Sequence, residues 1–459
     1  MPPPLIIFLL LPDRNGGLIL KDEVDVTHLL RPDRAELYSE VKDTFDRYIR
    51  ELRADRSWEA GAYRDDPAHA RRPTSFSVWE PEVYTGTESY ADNRDVLDTI
   101  DRRVEAELPR ALCTIIVGDQ QTFDRMMKLK RSQYQDYKHV IPFNGEMHMC
   151  AHFCHAGWRL WWPSMLEPFL ELYNPNQKVL KEDWTVKHWS HYDDFMFYFT
   201  TGSLRWLSHH VPHNLLDAES LLEYTSSNRT TQIFLHFLLD VCIPYVELRQ
   251  IIRQTSSAEN RDRLQLYYAM LMHLCRTDRA NKFLYAMLCV HSVWLHNNVI
   301  PSVRAIWDAM STVSWSGYPG RNIAIDHLIE KINRGAKSIL HGNITWERIK
   351  ILIPTLNVLL PCERAYFSMM GGIEDDTEGP HSHKQPQHEC ASRVEICLDT
   401  FLGGSWDAMR APDDDNNFRQ GYPGTDPADP QDLIARKQVD YAAYVRRMQA
   451  DIRWHEHIV

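Results

Sequence analysis

The chain has 459 residues, with 51 Lys and Arg against 63 Asp and Glu, for a formal net charge of −12. A hydrophobic fraction of 44% and a charged fraction of 25% are those of a folded globular protein and exclude a fibrous or wholly disordered chain. The acidic balance excludes a protein that coats DNA through a broad basic surface, although it leaves room for a local basic groove.

The apolar run Leu5–Leu11 opens the chain. It follows Pro2–Pro4 with no Lys or Arg before it, so it reads as a buried strand, not as a leader sequence. Residues 13–75 are charged and read as loop around one helix near Arg34–Arg53. Val96, Leu97, Ile100, Val104 and Leu108 recur at helical spacing and predict a helix over 96–108. Leu112–Val117 is a β-branched run stopped by Gly118-Asp119, the clearest strand in the sequence. Residues 120–131 read as helix and Val140–Phe143 as a second strand, ended by Asn144-Gly145. Helical patterns then dominate, over 147–173, 188–208, 218–224, 230–254, 260–275, 280–297, 301–313, 325–340, 345–358 and 362–369. Residues 371–390 and 412–430 lack periodicity and read as disorder, and 431–453 as a terminal helix.

The expected fold is mainly α with a small mixed β-sheet. Its expected organisation is an irregular N-terminal segment (1–75), part of an α/β core (76–180), a helical region (181–320), late helices completing the core (321–370), a mostly disordered linker (371–430) and a C-terminal helix (431–459). The nine Cys are scattered, with no CxxC pair, and several lie in apolar runs. That usage fits buried free thiols in a reducing compartment, and no apolar run approaches a membrane span of about 18–20 residues. The expectation is a soluble intracellular protein that does not engage a membrane.

Three stretches carry residue types suited to chemistry. In the first, Thr114-Ile115-Ile116-Val117-Gly118-Asp119, a carboxylate leaves the end of a strand, where open α/β sheets bind ligands. Such a group is a hard oxygen ligand for Mg²⁺; it is equally a helix cap. In the second, Asn144 to His155, a helix would bring His148, His152 and His155 to one face, with Cys150 and Cys154 in the next row. This set has zinc-ligating chemistry, or else consists of packed histidines. His148 follows a strand and a Gly and so can share the Asp119 crevice. In the third, Gly320 to Lys337, a helix aligns Asp326, Glu330, Asn333 and Lys337 opposite Ile325, Leu328, Ile329 and Ile332. That row is either a metal-and-phosphate face or a solvated face with i,i+4 ion pairs. A basic cluster, Arg125, Lys128, Lys130, Arg131 and Lys138, follows Asp119 with Tyr134 and Tyr137 interleaved. It suits a phosphate backbone as well as it suits solvent.

Val117-Gly118-Asp119-Gln120-Gln121-Thr122, then Pro142-Phe143-Asn144-Gly145-Glu146-Met147-His148, then Asp326-His327-Leu328-Ile329-Glu330-Lys331-Ile332-Asn333 and on to Lys337 resemble, in order, the landmarks of a eukaryotic domain family of unknown function associated with transposon-like genes. Its members carry a GDQ-T strand end, a PGD/E-x-H segment opening a helix, and a late DxxxExxNxxxK helix. The resemblance spans roughly residues 90–370.

It implies a mobile-element origin and an RNase H-like α/β core with a large helical insertion. The implied activity is a metal-dependent nuclease or polynucleotidyl transferase, or a degenerate copy of one, acting on DNA phosphodiesters. Asp119, Glu330, Asp326 and His148 would be its catalytic groups. Asp119, Glu330 and Glu146 would hold Mg²⁺, with zinc on His148, His152 and His155 a lesser alternative. Arg125, Lys128, Lys130, Arg131 and Lys337 would contact nucleic acid, and the ancestry would place the protein in the nucleus. Glu146 stands where relatives often have Asp, and the early third acid of a two-ion core, which grips ions about 4 Å apart, is not marked in the sequence. The competing expectation is a catalytically inactive helical interaction protein.

Overall fold

The computed structural model describes residues 7–12, 34–61, 90–107, 111–118, 120–137, 140–174, 180–182, 189–254, 311–314, 322–328 and 387–412, with residues 263, 267, 330, 354, 355 and 358. The strands are β1 (Ile7–Pro12), β2 (Ala111–Gly118), β3 (Val140–Asn144), β4 (Thr312–Ser314) and β5 (Asn322–Ala324). The helices are α1 (Arg34–Ala54), α2 (Tyr90–Glu107), α3 (Gln120–Ser132), α4 (Tyr134–Tyr137), α5 (Glu146–Trp161), α6 (Glu167–Tyr173), α7 (Trp189–His210), α8 (Ala218–Tyr224), α9 (Arg229–Phe237), α10 (Ile243–Gln254), α11 (Gln387–Leu402) and α12 (Trp406–Arg410). The fold is mainly α with a small mixed sheet.

The sheet has the order β1-β2-β3. β1 runs antiparallel to β2, whereas β2 and β3 are parallel, in a register that sets Gly118 beside Asn144. The α3 crossover makes that parallel pairing possible. Alternation along the strands divides the two faces. Ile116 and Val140 pack with Leu97 and Ile100 of α2 and Met126 and Leu129 of α3. Ile115, Val117 and Phe143 face the main core. Burial on both faces explains why β2 reads as a continuous apolar run.

The main core is an aromatic assembly on α5, α6, α7 and α9. Trp158 meets Tyr192 edge-on at 4.7 Å and Phe195 at 5.3 Å. Phe199 meets Phe169 at 5.1 Å and Phe237 at 5.3 Å. Each such ring contributes roughly 1.5–3 kcal/mol by burial, and pair geometry adds about 0.5–1.5 kcal/mol.

Two helices are locally widened into π turns, at Trp162–Leu166 and Leu238–Cys242. The first falls at Pro163, which lacks the N–H that an α-helix would use. The single helix expected over 147–173 is therefore α5, a π turn and α6. Residues Arg229–Arg253 run as one helix long and apolar enough to cross a membrane, and 83% of its apolar window is buried within the fold. Its apolarity is explained by packing against α5 and α7, which is how a core helix of a large domain reads in sequence.

The expected linker over 371–430 contains α11, packed on α7, and α12, whose Ala408 carbonyl accepts from the Asn228 side-chain amide at 3.1 Å. Gly202 makes the α7–α11 packing possible. A Cβ there would lie 2.6 Å from the Ala391 carbonyl oxygen and 2.7 Å from Val394 Cβ. Where a helix was expected over 301–313, Thr312–Ser314 form β4, which pairs with β5 in antiparallel register, and residues 301–310 lie outside the described residues. The expected elements over 280–297, 362–369 and 431–453 lie outside the described residues, as does Lys337.

Candidate functional site

β2 and β3 end together, and their last rung is closed by the Gly145 N–H donating to the Gly118 carbonyl at 3.2 Å. α5 starts immediately afterwards. Gly145 precedes its first turn in an extended conformation, φ −70 and ψ 145, and provides no side-chain cap. A helix start without a cap leaves N–H groups needing acceptors.

Asp326 supplies them from far along the chain. Its Oδ1 accepts from the Met147 N–H at 3.1 Å and its Oδ2 from the His148 N–H at 3.0 Å. The same Oδ2 lies 2.9 Å from His148 Nδ1, which donates when the imidazole carries its proton there. A carboxylate at a helix N-terminus also meets the positive end of the helix dipole. β5 delivers it: residues 325–328 turn helical directly after Ala324, and the Ile325 N–H is held by the Ser311 carbonyl at 3.0 Å.

The Asp326 side chain is 4% exposed and that of His148 is 13% exposed. Burial pushes the Asp326 carboxyl up. The hydrogen bond and charge of His148, with the two backbone N–H groups, outweigh that and hold it below the usual carboxylate range. The pair is thus an oriented imidazole backed by an ionised acid, the arrangement that fixes a histidine's tautomer for proton transfer.

Of the residues expected here, the structure joins His148 and Asp326. Glu146 is fully buried at the start of α5. Glu330 is helical and half-buried, four residues beyond Asp326. Asp119 lies outside the described residues; its predecessor Gly118 is on the closing rung. The row expected to alternate between a polar and an apolar side is buried all round at its start, since Ile325, Asp326, His327 and Leu328 are each 8% exposed or less.

A divalent ion does not fit the described residues taken by themselves. Among them no three His, Cys, Asp or Glu side chains converge, and both Asp326 oxygens already accept N–H bonds. Zinc through the His148–His155 helix meets a further obstacle. Cys150 and Cys154 point into the core, and burial pushes both thiols up, away from the thiolate that zinc binds.

On α3, Lys128 is exposed and Arg125 half-buried, one turn apart on the same side. The Lys128 ammonium sits 5.4 Å from the Tyr90 ring centre. The Lys130 and Arg131 side chains are outside the described residues.

A buried polar network that sequence reasoning missed lies next to the pair. The His327 ring meets Trp189 edge-on at 5.9 Å. Trp189 Nε1 donates to Tyr245 Oη at 3.0 Å, and Tyr245 Oη donates to Asp193. Arg249 closes the ring on both Asp193 oxygens, at 3.1 and 3.2 Å, and stacks over Trp189. Its sequence trace was the presence of Asp193 and Arg249 inside otherwise apolar helical runs.

Comparison with protein-family models, with curated proteins and with solved structures finds no match to this chain.

Proposed function

We propose that this chain is a transposon-derived, transposase-like protein with an RNase H-like ancestry, whose site for a DNA phosphodiester lies at the C-terminal ends of β2 and β3. The observation that supports the reading is the His148–Asp326 contact at the first turn of α5, beside the closing rung of the sheet. In this reading Asp326 fixes Nδ1, and Nε2 is the nitrogen that exchanges a proton with the reacting oxygen. Arg125 and Lys128 of α3 contact the phosphate backbone. In this reading Asp119 and Glu330, with Glu146, are the acids expected for Mg²⁺, which the described residues taken by themselves do not hold.

The test is nicking of supercoiled plasmid with Mg²⁺, Mn²⁺ or chelator. Wild type should nick, and His148→Ala should lose about 10²–10⁴-fold in rate. Asp119→Ala should remove the cation-dependent part. Absence of nicking by wild type under every condition, or full activity of His148→Ala, overturns the proposal.

A second reading, a non-catalytic helical interaction protein, is favoured by one observation. Asp326 is fully engaged as a helix cap, which accounts for it without chemistry. A folded wild-type protein that leaves the plasmid intact is its expected outcome.

A further inference from the structure

Gly145 is the part of this site that carries no functional group, yet the site is built on it. A Cβ at Gly145 would overlap the Asp326 side chain from Cβ to carboxylate. Its extended backbone is open to any residue, so the demand is for space and not for an unusual dihedral. The bare Cα is therefore the seat on which the Asp326 carboxylate rests while it reaches Met147 and His148.

We infer that Gly145 and Asp326 together form a positioning joint. It aims the His148 imidazole and sets the helical phase that presents Glu330, one turn beyond Asp326, to the same end of the sheet. This inference deepens the proposed nuclease reading and rests on it for the roles of His148 and Glu330. It assigns Asp326 to positioning and leaves contact with substrate to His148 and Glu330. The physical basis is that residues four apart on a helix share a face, so anchoring Asp326 in the core fixes where Glu330 stands. Asp326 is 3% exposed, whereas Glu330 is half-buried, as expected of an anchor and the group it presents.

Gly145→Ala tests the joint without altering any charge or hydrogen-bonding group, and Asp326→Asn tests it without altering volume. The first readout is amide hydrogen exchange on the full-length chain. Both variants should exchange Met147, His148 and Glu330 amides at least 10-fold faster than wild type, with α7 amides unchanged. The second readout is plasmid nicking, where Gly145→Ala should lower kcat at least 10-fold with KM unchanged, while Lys128→Ala should raise KM. Unchanged exchange at Met147 and His148 in both variants overturns the joint. Wild-type kcat in Gly145→Ala overturns its positioning role. If Gly145→Ala does not fold, the isosteric Asp326→Asn decides by exchange. If wild type does not nick, the nuclease reading fails, and exchange still decides whether the joint exists.

Discussion

The Asp326 carboxylate caps the helix that carries His148 and grips the His148 ring at the same time, across 178 residues of chain. One side chain thus joins the sheet end, α5 and the β5 segment.

Removing that carboxylate should be costly. Asp326→Ala strips two charge-assisted backbone bonds and the imidazole contact, and should destabilise the protein by about 2–3 kcal/mol. Urea denaturation with tryptophan fluorescence measures this. A change below about 0.5 kcal/mol would mean that water replaces the cap without loss.

The same residue gives a pH dependence of known sign. The Asp326 carboxyl is held below its ordinary value of 3.8 in the folded state. Its contribution is therefore complete above that value and disappears as the pH falls through the lower folded-state value. The stability difference between wild type and Asp326→Asn should shrink as the pH falls below about 3.9. A difference that grows as the pH falls below about 3.9 contradicts the ionised assignment.

A second buried acid ties α1 to α10. Glu247 accepts from Tyr48 Oη at 2.6 Å and from Arg263 at 2.5 Å, and forms an ion pair with Arg47 at 2.7 Å. Burial pushes its carboxyl up, but the two arginines pull it below the usual range. Glu247→Ala leaves both guanidiniums without this partner and should cost about 3–5 kcal/mol, with Glu247→Gln costing less. Thermal unfolding of the two variants side by side checks the order.

The α7–α11 contact makes a prediction from packing alone. Gly202→Ala places a methyl group against the Ala391 carbonyl and Val394 and should destabilise by about 1–3 kcal/mol. Limited proteolysis should then cleave α11 before α7. Equal resistance of wild type and variant would show that the helices part without cost.

Much of the architecture was legible because it is written locally. The β2 run, the 218–224 helix with its Asp217 cap and the long 188–208 pattern each depend on neighbours in sequence. His148 and Asp326 were both visible as candidates, but their contact was not, because no local pattern encodes a cap borrowed from 178 residues away. α11 was hidden by its polar start at Gln387–Glu389, although Cys390, Val394, Cys397, Leu398 and Leu402 recur at helical spacing. β4 and β5, at three residues each, are too short to show a period of two. The buried Asp193–Arg249 pair was not legible as a pair, since only the folded context brings the two charges together.

The borrowed cap also orders events during synthesis. At roughly 5–20 residues per second, the ribosome reaches residue 326 roughly 10–35 s after residue 148. Through that interval the nascent α5 must begin frayed, its imidazole unanchored, until the late segment emerges and locks it.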